Sequence, residues 1–334
     1  MAGCRLELNL ACFHPLSVYL LPPGHFLGNS DTKQTIIFKN SSPHMKIASH
    51  IPNLSSYASK LPCGRCIGCR LRYSQSWAVR LLHEQSLHKY SWFLTLTYSD
   101  ENLPPHNSLR KKDFQDFLKR FRKRINAKSG DLRYFHCGEY GDKTNRPHYH
   151  AIIFGPPLND LKLIKNHKGN NLYKSKFLDD VWGFGHVFVG SVTSESCAYV
   201  ARYIMKKQTG KDWQKSYVKT LYNESDNSIS QVLRSREYST MSRRPGIAKD
   251  FYDKYKSQLY NDAMRGSVLF RNYPVSVPKY YDKLFEVEDP DRFKEIQAYR
   301  KSFFSTFDDL TEDELINAEL CAYSRLKTLK RNLE

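Results

Sequence analysis

Apolar and polar positions follow two different periods in the middle of this chain. Residues 92–98 read Trp-Phe-Leu-Thr-Leu-Thr-Tyr, an aromatic and β-branched run that predicts a buried strand. Residues 132–140 and 147–154 predict two further strands, and the turn-forming residues 141–146 between them predict a β-hairpin. A fourth strand is predicted at 185–192, and residues 35–38 are the best strand candidate near the N-terminus.

Helical periodicity alternates with these strands. Residues 110–127 carry one apolar stripe at helical spacing, formed by Phe114, Phe117, Leu118, Phe121 and Ile125. Helices are also predicted at 71–88, at 175–181 and at 194–208. The last of these has Ser194 or Thr193 as its N-cap and Gly210 as its stop signal.

The resulting order, β-α-β-β-α-β-α, predicts an α+β fold. We expect a ferredoxin-like core with a central antiparallel sheet and helices packed on one face of it. Three regions follow: an N-terminal extension at 1–90 with a cysteine cluster and a helix, the core at 91–210, and a mainly helical, charged C-terminal region at 211–334.

Charge narrows the class of partner. The formal net charge is +18, and such an excess attracts polyanions, of which nucleic acid is the commonest. No apolar run approaches the ~20 residues that span a bilayer, and no basic amphipathic anchor is evident, so no membrane partner is expected. The first residues lack the basic-then-apolar order of a signal peptide, which favours an intracellular protein.

The predicted helix at 110–127 concentrates this charge opposite its apolar stripe. Eight cations on that face are candidates for phosphate contacts, although a solvated charged face is the simpler interpretation. They are Arg110, Lys111, Lys112, Lys119, Arg120, Arg122, Lys123 and Arg124.

Two histidines one residue apart are the first candidate site. His148 and His150 project to one side of their strand, because strand side chains alternate between faces. If the hairpin is centred between residues 143 and 144, Glu139 lies opposite His148 and joins them on that face. Two imidazoles and a carboxylate suit Mg²⁺ or Mn²⁺. A register slip by one residue would turn Glu139 away and make His136 the rival ligand.

A pair of tyrosines is the second candidate. Tyr199 and Tyr203 are four residues apart and share a helix face, with Arg202 and Lys206 each three residues after one of them. A nearby cation and a metal-polarised phosphate both help a phenol to attack phosphorus. Half-buried packing of the two rings is the alternative.

Three motifs together resemble a known family. They are Phe93-Leu-Thr-Leu-Thr-Tyr98, Pro147-His-Tyr-His150 and Tyr199-x-x-x-Tyr203-x-x-Lys206. In this order they resemble the HUH endonucleases, and most closely the rolling-circle replication initiators of microviruses of the gokushovirus type. The elements Pro62-Cys-Gly-x-Cys-x-x-Cys-Arg70 and Ser242-Arg-Arg-Pro-Gly246 also resemble that phage group.

The resemblance implies a mechanism and partners. A tyrosine would cleave single-stranded origin DNA, leaving a 5′-phosphotyrosine and a 3′-OH that primes the host polymerase, and a second tyrosine would support rejoining. Tyr199, Tyr203 and Lys206 match the catalytic set, whereas His148, His150 and Glu139 match the metal set. The order in which the tyrosines act stays open. Because no Walker motif is present, a host helicase is expected, in the host cytoplasm.

Other functions remain open at this point. A plasmid relaxase or a single-strand transposase would use the same constellation. A non-catalytic, basic DNA-binding or packaging protein would need neither the histidines nor the tyrosines.

Three cysteines at successive three-residue steps form a further cluster. Cys63, Cys66 and Cys69 are candidate ligands of a structural zinc, which prefers four thiolates or imidazoles. The fourth ligand is not evident from spacing. The candidates for it are Cys4, Cys12, His83 and Cys137. Packing of small thiols at a helix start is the alternative.

Overall fold

The computed structural model describes residues 12–21, 35–38, 56, 58–141, 144–167, 170–206, 213–223, 228–304 and 311–328. These residues divide into two compact units. One comprises those within Met1–Tyr73 and Lys294–Lys330, and the other those within Ser74–Phe293. In the described ranges no helix is long and apolar enough to cross a membrane. The division of the chain at residues 90 and 210 stays a prediction.

The described residues form fourteen strands and eight α-helices. The strands are β1 (Leu16–Leu21), β2 (Thr35–Phe38), β3 (Ala58–Leu61), β4 (Ser91–Tyr98), β5 (Arg133–Tyr140), β6 (Pro147–Phe154), β7 (Lys162–His167), β8 (Asn170–Lys174), β9 (Gly185–Ser191), β10 (Val218–Asn223), β11 (Ser228–Leu233), β12 (Tyr238–Met241), β13 (Ser267–Phe270) and β14 (Tyr273–Ser276). The helices are α1 (Ile67–Gln85), α2 (Lys111–Arg124), α3 (Lys176–Trp182), α4 (Ser194–Lys206), α5 (Lys249–Leu259), α6 (Lys279–Glu288), α7 (Pro290–Phe304) and α8 (Glu312–Thr328).

A seven-stranded antiparallel sheet is the centre of the second unit. Its order is β12-β5-β6-β4-β9-β8-β7, and its inner four strands have the ferredoxin-like order β5-β6-β4-β9. The α+β prediction is therefore confirmed. The sequence pattern did not predict the β7–β8 hairpin or the edge strand β12. The edge hairpin lacks a clear alternation, since Leu163 and Ile164 are both exposed.

Helices cover both faces of this sheet, so the expectation of helices on one face is wrong. The stripe of α2 packs in one core with Tyr149, Ala151 and Ile153 of β6, and the ring of Phe114 lies beside that of Tyr149. The alternate residues of β6 point to the opposite face, where α4 contacts β5, β6 and β12. A helix-covered face on each side lets the strands be buried almost throughout.

One predicted phosphate contact has a structural role in this packing. The guanidinium of Arg120 donates to the carbonyl oxygens of Val181 (2.7 Å) and Trp182 (2.8 Å) at the end of α3. These carbonyls lie in the last turn of the helix, where they lack intrahelical donors, and a cation there also opposes the helix dipole. Arg120 therefore joins α2 to α3, and we remove it from the set of DNA-contacting candidates.

A buried ion pair fastens the end of α1 to the sheet. Glu84 and Arg133 are almost fully buried and paired with each other. Glu84 also accepts from the backbone N–H of Ala248, and Arg133 donates to the carbonyl of Gly246 (2.9 Å). The Ser242–Gly246 element, which the sequence singled out, is thereby held against β5 by its backbone.

The C-terminal region contains more strands than its charged sequence indicated. Residues 211–334 include the helices α5–α8, but also the hairpins β10–β11 and β13–β14 and the edge strand β12. In the first unit, β1 pairs with β2 and β3 in a three-stranded sheet, which confirms the strand predicted at 35–38.

Candidate active site

The β5–β6 hairpin sets the register that decides the site. Glu139 pairs with His148 and Cys137 with His150, as the turn residues and the alternation predicted. The three side chains of Glu139, His148 and His150 consequently meet on one face, with ligand atoms within 4.8 Å of one another. His136, the rival ligand, points to the other face and stacks on Phe114 at 3.4 Å between ring centroids.

Hydrogen bonds hold the trio together. The Nε2 atoms of both histidines lie against one carboxylate oxygen, Glu139 Oε1, at 2.7 Å for His148 and 2.9 Å for His150. Burial by itself favours a neutral carboxyl. The bonds and charges of the two imidazoles outweigh burial, and hold the pKa of Glu139 well below its ordinary value.

The outer nitrogens of the two histidines have partners that fix the ring orientation. His148 Nδ1 lies 3.2 Å from the carbonyl of Arg146, and His150 Nδ1 lies 3.0 Å from the hydroxyl of Thr95. A carbonyl only accepts, so His148 carries its proton on Nδ1. In the neutral ring, Nε2 then presents a lone pair toward Glu139. Such an arrangement is typical of metal-binding histidines, and the donor set fits a divalent ion.

Helix α4 brings both tyrosines to the same histidine. The ring of Tyr203 stacks on His150 with centroids 5.2 Å apart, and the ring of Tyr199 meets His150 edge-on at 5.3 Å. The two phenol rings are 4.8 Å apart. Burial raises the pKa of Tyr203 far above its ordinary value, and the negative charge of Glu139 raises it further. Phe93 of β4 stacks on His150 as well (5.6 Å).

The two cations predicted beside the tyrosines differ in what can be said of them. The guanidinium carbon of Arg202 lies 5.8 Å from the ring centre of Tyr199, so this cation accompanies its phenol as predicted. Lys206 is the last residue of α4, and its side chain lies outside the described residues. The predicted extension of the helix to residue 208 and the stop at Gly210 lie outside them too.

Comparison with known proteins identifies the family. The family model for replication-associated proteins of the ORF2 type matches residues 91–208, the segment that holds the hairpin and α4. The chain is 34% identical over 252 residues to the replication-associated protein VP4 of Bdellovibrio phage phiMH2K, covering 73% of each chain. The chain belongs to the microvirus-type replication initiators.

Further relatives agree with this assignment. The initiator is 32% identical over 297 residues to the replication-associated protein ORF2 of Spiroplasma virus 4, covering 85% of this chain and 83% of the relative. It is 28% identical to the replication-associated protein ORF4 of Chlamydia phage 1, covering 69% of this chain and 55% of the relative. No solved structure matches the chain significantly. A role in phage replication follows from these relatives.

The basic helix of the initiator does not line the site. Helix α2 lies on the face of the sheet opposite His148 and His150. Several of its cations are paired on the helix surface: Arg110 with Asp113, and Lys112 and Lys119 with Asp116. Lys111 and Arg122 lie over the rings of Tyr238 and Tyr134, while Lys123 and Arg124 are exposed. A phosphate-contacting role for α2 stays a prediction.

The cysteine cluster of the initiator acquires a fourth member in the structure. Cys63, Cys66 and Cys69 lie with Cys12, and their four sulfur atoms are within 4.8 Å of one another. The other candidates are engaged elsewhere or not described. His83 bonds the hydroxyl of Tyr281 (2.8 Å), Cys137 pairs with His150 in the hairpin, and Cys4 lies outside the described residues.

Thr95 is the site residue that the sequence analysis missed. It pairs with His150 across the β4–β6 ladder and points to the same face. The signal was present, because the threonines of residues 92–98 alternate with leucines and so mark the face opposite the apolar core. Only the strand order shows that this face is the histidine face, since β4 and β6 are 55 residues apart at this bond.

Proposed function

We propose that this replication initiator nicks single-stranded origin DNA by tyrosine transesterification and later rejoins it, in rolling-circle replication of a single-stranded DNA phage. The observation that carries the proposal is the position of both tyrosine rings against His150, within a hairpin whose histidines and Glu139 fit a divalent ion. A packing role for the tyrosines would not require this donor set beside them.

The residues divide the work as follows. A phenol oxygen of Tyr199 or Tyr203 attacks the scissile phosphorus, the bond from phosphorus to the 3′ oxygen breaks, and a phosphotyrosine ester forms. The phenol gives up one proton and the departing 3′ oxygen takes one up, so the exchange is balanced. Mg²⁺ or Mn²⁺ held by His148, His150 and Glu139 would polarise the phosphate as a Lewis acid.

One phosphodiester is exchanged for another in this step. The reverse attack by a 3′-OH therefore restores the DNA strand without an external energy source. Two neighbouring phenols allow a second cleavage while the first tyrosine is still esterified. The rings of Tyr199 and Tyr203 are close enough to share one phosphate-binding position.

The partners follow from this chemistry and from the charge. The net charge of +18 favours binding to the DNA backbone, and the free 3′-OH would prime a host polymerase. The sequence has no Walker motif of its own, so strand separation would rely on a host helicase. We therefore propose that the protein acts inside the host cell.

Covalent-adduct formation tests the proposal directly. The protein is incubated with end-labelled single-stranded DNA that spans its phage origin, with Mn²⁺, with Mg²⁺ or with a chelator. We expect a metal-dependent covalent adduct in denaturing gels, and its loss in the Tyr199→Phe, Tyr203→Phe double variant. Each single variant then assigns the tyrosine that cuts first.

A surface tyrosine serves as the control. Tyr273→Phe changes a half-exposed ring of β14 and should leave adduct formation unchanged. DNA binding without any adduct in the wild type would favour a non-catalytic binding or packaging protein. Cleavage of a plasmid transfer origin or of a transposon end, but not of the phage origin, would favour a relaxase or a transposase.

A further inference from the structure

The first unit brings together four cysteines that are distant in sequence. β1 and β3 pair in antiparallel fashion as far as Leu16 and Leu61, so the chain just beyond this pair carries Cys12 on one side and Cys63 on the other. Cys66 precedes α1 and Cys69 lies in its first turn, because the helix begins at Ile67 rather than at residue 71. A strand ladder and a helix start thus converge on one point.

The distances between the sulfur atoms suit a single tetrahedral ion. A zinc ion with four Zn–S bonds of about 2.3 Å places its sulfurs about 3.8 Å apart. Cys66 Sγ lies 3.8 Å from Cys12 Sγ, and all four sulfurs are within 4.8 Å of one another. None of the four is in a disulfide in the structure. Each thiolate of a four-iron cluster binds a different iron, which needs a wider separation than this.

Backbone N–H groups also point at the sulfurs, as they do around a thiolate. The N–H groups of Arg65 and Cys66 point at Cys63 Sγ (3.4 and 3.3 Å), and the N–H of Cys63 points at Cys12 Sγ (3.1 Å). Gly64 makes this turn with φ of +72°, a conformation that favours glycine. Such donors stabilise sulfur that carries negative charge, and packing of neutral thiols does not call for them.

We propose that Cys12, Cys63, Cys66 and Cys69 bind one structural zinc ion. The ion ties the chain before β1 to the segment between β3 and α1, which closes a loop of 51 residues between Cys12 and Cys63. Four protein ligands leave no open position, so the site is structural rather than catalytic. It is separate from the Glu139 trio, and does not depend on the proposed nicking activity.

Zinc content and cobalt spectroscopy test the site in the full-length protein. Protein purified under reducing conditions should contain about one zinc per chain, as expected for a closed four-ligand site. Replacement by Co²⁺ should produce a thiolate-to-metal charge-transfer band. Cys12→Ser should abolish the stoichiometric zinc and change that band. Cys321→Ser, which changes an exposed cysteine of α8, should alter neither.

A second pair of measurements separates the two metal sites and avoids variants that fail to fold. The His148→Ala, His150→Ala double variant should keep its zinc and its cobalt band while losing metal-dependent cleavage. In the wild type, the metal should protect four thiols from alkylation, and a mercurial thiol reagent should release it. Cys321 should react with the alkylating reagent whether or not zinc is bound.

Clear outcomes would overturn the assignment. Iron in place of zinc, no metal in freshly reduced protein, or a disulfide among the four cysteines would each contradict it. Equal zinc content in Cys12→Ser and the wild type would show that the cluster is not a four-thiolate site. Loss of cleavage in the histidine variant, with zinc retained, leaves this assignment intact.

Discussion

Thr95 should orient His150 for metal binding, and removing its hydroxyl tests the geometry of the active site. Thr95 Oγ1 lies 3.0 Å from His150 Nδ1, and the His150 side chain is fully buried. In Thr95→Val the shape of the side chain is nearly kept, but this hydrogen bond is lost. Water cannot readily replace it at a buried ring.

The size of the effect follows from that burial. Leaving a buried polar group without its hydrogen bond costs about 1–3 kcal/mol, which corresponds to a factor of roughly 5 to 150 in an equilibrium constant. Changes to the outer partner of a metal-binding histidine typically weaken metal affinity by about 10- to 100-fold. We therefore expect Thr95→Val to raise the Mn²⁺ concentration for half-maximal adduct formation by about 10- to 100-fold.

The neighbouring threonine provides a matched control. Thr97 is two residues along the same strand face and pairs with His148, but its hydroxyl donates to the carbonyl of His186 (3.2 Å). Thr97→Val should leave the Mn²⁺ dependence unchanged. Direct Mn²⁺ binding, measured calorimetrically without DNA, should follow the same order. Identical Mn²⁺ curves for the two variants would refute the argument, as would a slower reaction of Thr95→Val with unchanged Mn²⁺ affinity.

Three further predictions follow from the same structure. Glu139→Ala should weaken Mn²⁺ binding more than 10-fold, as about expected for loss of a ligand, whereas His136→Ala should keep the affinity but lower the unfolding temperature; the reverse pattern in calorimetry would mean a different register. Arg133→Met should cost about 3–5 kcal/mol at neutral pH because Glu84 is left buried and unpaired. Burial alone would raise the pKa of Glu84, but His88, Arg133 and a backbone N–H together lower it, so the stabilisation is present above its ordinary value near 4.5 and is lost as the pH falls through the lower folded value. The difference in urea-unfolding free energy between variant and wild type should therefore shrink in acid, and a constant difference would contradict this. Lys123→Ala should reduce the salt dependence of single-stranded DNA binding by a slope of about 0.7 in log–log form, and an unchanged slope would remove this lysine from the interface.

Local sequence was sufficient for the parts of the fold that depend on short-range geometry. The β5–β6 register could be predicted because six turn residues and a strict alternation leave one pairing that buries the apolar side chains. The stripe of α2 was equally clear, since Phe114 and its neighbours on the stripe are buried as their spacing predicted. The metal ligand set belongs to this group, because Glu139 and His148 are both within the hairpin.

Other features depend on residues that are far apart in the chain. The β7–β8 hairpin has a mixed pattern of exposure, so its strands gave little signal before they joined the sheet edge. Arg120 looked like one more cation on a basic face, and only the approach of α3 turns it into a helix cap. Helices on both faces were not predictable either, because alternation alone does not say what covers each face.

The sequence by itself therefore determined the hairpin register, the ligand trio and the paired tyrosines on one helix face. Only the tertiary structure decided that α4 lies over the histidine face while the basic helix α2 lies on the other. It also selected Cys12 from the candidate zinc ligands. The physical reason is the range of the interactions. Side-chain periodicity and turn preferences act over a few residues, whereas the choice of face and the meeting of distant segments depend on how whole elements bury their apolar surfaces together.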